Sequence, residues 1–221
     1  RQDAQGAVAG MVRGAAMTER PIIFTPEHVR KVLNGIKTQT RRIVKPQPIK
    51  QHHIAWVHDG GFGSGFQVLT NHAGTVERIT CPYGKPGDKL WVQETWQQAF
   101  RASKSSTGVI YLADGPDFNS LAEQQHQLTR KERGWKPSIH MPKKFCRLWL
   151  EIVSIRVERV QEISEADAKA EGCLIPGILW PDITNRAYRY AAVFHLLWDS
   201  IHGAGAWERN DWVWVIEFKR L

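Results

Sequence analysis

The alternation of apolar and polar positions is clearest from Arg147 onward, where Leu148, Leu150, Ile152, Ile155, Val157 and Val160 alternate with Glu151, Arg156, Glu158 and Arg159. A period of two marks a strand with one face buried. The phase slips at Val153-Ser154, as one extra residue in a strand makes it slip, so a bulge is expected there. Trp212-Val213-Trp214-Val215-Ile216-Glu217-Phe218 reads as a C-terminal strand, rich in β-branched and aromatic residues. Pro86-Gly87-Asp88 is a turn that delivers the chain into a further strand from Lys89 to Trp96, and Gly108 to Ala113 is a shorter candidate.

Helical spacing appears in three places. After the short apolar run Pro21 to Phe24, Thr25 is an N-cap, Pro26 takes the first helical position, and Val29, Val32 and Leu33 follow at the helical period until Gly35 stops it. Ser164 starts a second helix, with Asp167 as the capping-box partner and Gly172 at the end. A third helix, from about Arg186 to Ile201, has Ala191, Phe194, Leu197, Trp198 and Ile201 as its buried stripe. The segment Ile36 to Val44 leaves the first helix with alternating Lys, Thr and Arg.

Two stretches lack periodicity. The first, about residues 47–80, carries Pro46 and Pro48 at its start and Gly60, Gly61, Gly63 and Gly65 within it, and is expected to be a surface excursion with room for a hairpin. The second, about residues 100–142, is polar and punctuated by Pro116, Gly134 and Pro137. Strands separated by short helices in this mixed order predict an α+β fold built as a compact small barrel rather than a doubly wound sheet. Residues 1–16 offer neither an apolar stripe nor a cap and are expected to be a disordered leader, with Met17 as a second possible start. Residues 17–221 are then expected to form one domain with two insertions.

Composition narrows this further. A chain of 221 residues with 42% hydrophobic content suffices for one sizeable core. No window approaches the roughly 18 apolar residues of a membrane span, so no membrane association is expected. Cys81, Cys146 and Cys173 are odd in number, far apart and free of any CxxC pair, which argues against a disulfide framework and for a reducing, cytoplasmic setting. The nine histidines form no HxxxH or HExxH, so no metal and no cofactor is expected. The formal charge of +8 is clustered in Arg30, Lys31, Lys37, Arg41, Arg42, Lys45 and Lys50, and again in Arg130, Lys131, Arg133, Lys136, Lys143, Lys144 and Arg147. Such runs attract polyanions or simply keep a surface solvated.

Four separated pieces then coincide. They are Gly35-Ile36-Lys37-Thr38-Gln39-Thr40-Arg41-Arg42 after a helix, Gly87-Asp88-Lys89-Leu90-Trp91-Val92 opening a strand, Ile163-Ser164-Glu165-Ala166-Asp167-Ala168 starting a helix, and Val215-Ile216-Glu217-Phe218-Lys219 near the end. Together they resemble the ASCH family, whose fold is a PUA-like small mixed β-barrel with flanking helices. Cys81-Pro82-Tyr83-Gly84, the segment Trp135 to Pro142 and Trp198-Asp199-Ser200-Ile201 make the chain similar to a longer version of that family found in phages and prophages.

The resemblance implies RNA binding or binding of a modified nucleoside, in a cleft lined by the GxKxxTxR loop with Gly35, Thr38, Arg41 and Arg42. Some compact members are amidohydrolases that remove acetyl from N(4)-acetylcytidine, and their Lys, Thr and Glu fall by motif on Lys37, Thr40 and Glu171. Those residue types suit the chemistry: a Thr hydroxyl needs a base to become a nucleophile, a desolvated Lys can act as one, and a Glu can protonate the leaving amine. Composition alone does not rank Thr40 over Thr38, or Glu171 over Asp167 and Glu165. In a regular strand Lys37 and Thr40 would face opposite ways, so the loop is expected to turn between them. A role as a phage assembly or accessory protein is the third reading.

Overall fold

The computed structural model of the chain describes residues 17–47, 53–56, 66–70, 76–98, 109–115, 134–174 and 190–221. The leader, most of both insertions and the start expected for the third helix lie outside the described residues.

The architecture is mixed α+β. One sheet holds five strands in the order β1-β6-β9-β10-β2: β1 (Glu19–Ile23), β2 (Gln39–Ile43), β6 (Lys89–Gln93), β9 (Trp149–Arg159) and β10 (Trp212–Arg220). The β1–β6 pair is parallel and the other three are antiparallel. In the first insertion, β3 (His53–Trp56), β4 (Phe66–Thr70) and β5 (Val76–Thr80) form a separate antiparallel sheet, so that excursion holds three strands where one hairpin was expected. A two-stranded sheet pairs β7 (Trp96–Gln98) with β8 (Val109–Tyr111).

The bulge falls where the phase slips. Glu217 pairs with Ser154 and Phe218 with Ile152, so Val153 is the extra residue, and it is exposed. The strand expected over Lys89 to Trp96 is broken in two instead. Glu94 lies in the break, and its buried carboxylate accepts from Arg147 Nε and Nη2 at 3.0 and 2.8 Å.

Strand β10 buries both faces, which explains its unbroken apolar run. Trp214, Ile216 and Phe218 join a core with Ile22, Phe24, Val29, Val32, Leu90, Leu150 and Ile152. Val213 and Val215 join a second core with Val160, Ile163, Ala168, Cys173, Phe194 and Trp198. The first core holds helix α1 (Pro26–Leu33), started by Thr25 Oγ1 accepting from His28 N at 3.3 Å. The second core holds α2 (Glu165–Ala170) and α3 (Tyr190–His202).

The α3 stripe is only partly as expected. Phe194 and Trp198 are buried and Ala191 and Leu197 partly so, but Ile201 is exposed, at the open pocket that it helps to line. A side chain links the two edge strands of the five-stranded sheet. Arg42 Nη2 on β2 donates to Ile23 O at the end of β1 at 2.6 Å, and its guanidinium lies 5.5 Å from the Phe24 ring centroid. Among the described residues no helix is long and apolar enough to cross a membrane.

Candidate functional site

The loop between α1 and β2 is held at both ends by backbone bonds. Gly35, at φ +71°, ends α1, and the amides of Ile36 and Lys37 both donate to Lys31 O at 2.8 and 3.1 Å. Thr38 N then donates to Ala170 O at the end of α2, and Thr38 O accepts from Phe218 N, each at 2.9 Å. Lys37 therefore lies outside the strand, which starts at Gln39. From the other side Gly172, at φ +84°, comes so close that a Cβ there would stand 3.2 Å from Lys37 Cβ.

These constraints bring Lys37 and Glu171 together although 134 positions separate them. Lys37 Nζ donates to Glu171 Oε2 at 2.7 Å and to Glu171 O at 2.8 Å, with both side chains buried. Burial pushes the Lys37 ammonium below its ordinary value, and the Glu171 carboxylate opposes that shift. Arg41 is also buried: Nη1 donates to Glu171 Oε1 at 3.2 Å, and Nη2 reaches Glu158 and lies 3.4 Å from Asp167 Oδ2. Arg156 extends the network to Glu158, Asp167 and Glu217 at 3.0, 2.8 and 2.8 Å.

Asp167 is thus an ion-pair partner rather than one half of a capping box. Ser164 Oγ accepts from Asp167 N at 3.0 Å, as an N-cap should, but donates its own proton to Asp167 Oδ2 at 2.9 Å. Burial would raise the Asp167 carboxyl, yet Ser164, Arg156 and Arg41 together hold it below the usual carboxylate range.

Beside this network lies a pocket open to solvent. Its polar side carries Thr40, Arg41, Arg42, Glu171 and His28, and its apolar side is the α3 face of Phe194, Leu197, Trp198 and Ile201, with His202 at the end. Burial, with Lys37, Lys31 and Arg42 nearby, pushes His28 down to about 3. Burial and then Arg42 also lower His202. Arg42 has no carboxylate partner, and the Thr40 hydroxyl no hydrogen-bond partner, among the described residues.

Of the residues singled out in the sequence, Thr40, Arg41, Arg42 and Glu171 line the pocket. Lys37 sits behind Glu171 rather than on the wall, while Gly35 shapes the turn and Thr38 is exposed and acts through its backbone. The α3 residues were legible as a helical stripe but not as a pocket wall. His202 continues that stripe four positions beyond Trp198, whereas nothing in the sequence marks His28.

The basic runs are less free than their composition suggests. Arg147 is tied to Glu94 and Asp114 and Lys143 to Glu19, whereas Lys136 and Lys144 are exposed beside aromatic rings. Away from the pocket, His195, Asp199 and Glu208 hold ligand-type atoms within 4.8 Å of one another, and these are the described residues best spaced for a metal ion. Their spacing serves equally as pairing of His195 with Asp199 and Glu208 at 3.6 and 3.8 Å. Comparison with family models, curated proteins and solved structures gives no match to this chain.

Proposed function

We propose that this chain binds a nucleoside unit, either free or as an unstacked base of RNA, in the pocket between β2, α2 and α3. The five-stranded sheet is then the PUA-like barrel of an ASCH-type protein, a placement supported by the GxKxxTxR motif. One observation carries the reading: polar Thr40, Arg41, Arg42 and Glu171 face the apolar, aromatic surface of Phe194 and Trp198 across one opening. A flat ring with hydrogen-bonding edges fits such a wall pair, since its faces take apolar contact and its edges take directional bonds.

The test is calorimetric titration of the whole chain with cytidine, N(4)-acetylcytidine and a short single-stranded RNA. Thr40→Val keeps the shape and removes the hydroxyl, and should weaken binding about fivefold or more at unchanged melting temperature, the range of one hydrogen bond. Equal binding by wild type and variant would place the ligand elsewhere.

A second reading, amide hydrolysis, is favoured by the lone Thr40 hydroxyl sharing the pocket with Glu171. Thr40 Oγ would attack the acyl carbonyl, the carbon–nitrogen bond would break, the amine would leave with a proton, and water would release the acid. Lys37 is engaged twice by Glu171, so it must exchange one of these bonds before it can take the Thr40 proton. Release of cytidine from N(4)-acetylcytidine, abolished in Thr40→Val, supports catalysis; binding without turnover leaves a binding site alone.

A further inference from the structure

The hydrogen-bonding groups left over around the pocket are donors. Arg41 Nε, Arg42 Nε and Trp198 Nε1 are buried without partners, and all three belong to residues on its wall. The Thr40 hydroxyl, without a hydrogen-bond partner among the described residues, is a further wall group that can donate. The one carboxylate on the wall is engaged at both oxygens, Glu171 Oε2 by Lys37 and Oε1 by Arg41. Buried donors left unpaired cost about 1–3 kcal/mol each, so a complementary ligand presents acceptors to this wall.

Charge points the same way. The cation of Arg41 is met by Glu158, Asp167 and Glu171, and that of Lys37 by Glu171. Among the described residues Arg42 has no carboxylate at ion-pair distance: the Ile23 carbonyl and the Phe24 ring meet it directly, and Tyr83 and Glu171 act on it from farther away. Among the described residues one guanidinium at the pocket is therefore without a direct ion pair, and a planar guanidinium matches an oxyanion in both geometry and charge.

We infer that the pocket takes a phosphorylated nucleoside, with a phosphate oxygen against Arg42 and Thr40 and the base along Phe194 and Trp198. This rests on the pocket being the nucleoside site and deepens that reading, because it selects a nucleotide, free or within RNA, over a neutral nucleoside. His28 and His202 complete the rim as uncharged imidazoles, each able to donate one N–H.

The experiment compares cytidine, cytidine 5′-monophosphate, cytidine 3′-monophosphate and inorganic phosphate by calorimetry on the whole chain and on Arg42→Gln. At least one monophosphate should bind about tenfold or more tightly than cytidine, the value of one charge-assisted contact. Inorganic phosphate should compete with it, and Arg42→Gln should reduce the advantage of the monophosphate over cytidine to about twofold, with both affinities read on both proteins. If Arg42→Gln does not fold, the competition by phosphate and the loss of the advantage at high salt, both on wild type, decide the matter. Cytidine binding as tightly as both monophosphates overturns the phosphate subsite and leaves the nucleoside pocket intact. Failure of every compound to bind overturns both. An advantage that survives Arg42→Gln in a folded variant also overturns the subsite and moves the phosphate contact to the exposed lysines.

Discussion

Changing Glu171 to Gln keeps the side chain's size and removes its charge, so it isolates what the carboxylate does for Lys37. The Lys37 side chain is 1% exposed, and its described hydrogen-bond acceptors are the Glu171 carboxylate and the Glu171 carbonyl. After the substitution a buried ammonium has no counter-ion, a change that costs about 3–5 kcal/mol when one partner of a buried pair is removed. Arg41 retains Glu158 and Asp167, so its own loss is smaller. For a domain of this length each kcal/mol moves the melting temperature by about 2–4 °C, and the expected drop is about 6–20 °C at pH 7.

The pH dependence has a fixed sign. Burial already lowers Lys37 and Glu171 opposes that shift, so removing the carboxylate lowers Lys37 further below the model-peptide value of 10.5. Between the variant's lowered value and that of wild type, the folded variant binds fewer protons than its unfolded chain, and its stability rises with pH while that of wild type does not. The deficit therefore narrows as pH rises through that window toward 10.5. The assay is urea denaturation at a series of pH values on wild type, Glu171→Gln, Lys37→Met and the double variant. The double variant should regain at least half of what Glu171→Gln loses, because no buried charge is left alone. A Glu171→Gln protein within about 1 kcal/mol of wild type, or a double variant no better than the single one, would refute the pairing argument.

Other perturbations test neighbouring parts of the same construction. Gly172→Ala places a Cβ 3.0 Å from Lys31 Cδ and 3.2 Å from Lys37 Cβ at φ +84°, and should cost about 1–2 kcal/mol from the left-handed backbone alone, read by thermal unfolding. Asp167 is held below its ordinary value of 3.8, so its contribution is complete above that pH and is lost as pH falls through the lower folded value; Asp167→Asn should flatten the acid limb of the stability curve. Thr25→Ala removes the acceptor for His28 N and should cost about 1 kcal/mol, read as a shift in the urea midpoint with an unchanged slope.

What the sequence made legible divides along a physical line. Features carried by neighbouring residues were readable: the Thr25 cap, the stop at Gly35, the Ser164 helix start and the extra residue at Val153 all follow from local sterics or from side-chain alternation. The break at Glu94 was not, because β-propensity continues through it and the partner of its buried carboxylate, Arg147, lies 53 positions away. The site divides in the same way. Thr40 and Arg42 came from a contiguous motif, and Glu171 came with them only through a family pattern that spans the chain. Arg41 illustrates the limit: as a letter in a basic run it reads as a surface cation for a polyanion, yet Glu158, Asp167 and Glu171 converge on it from β9, α2 and the end of α2. Arg42, the next residue, alternates to the Phe24 side of the strand and has no carboxylate at ion-pair distance among the described residues. Period-two geometry thus turns two adjacent arginines into one internal counter-ion and one cation at a pocket without a direct ion pair, and that difference is set by pairing rather than by composition.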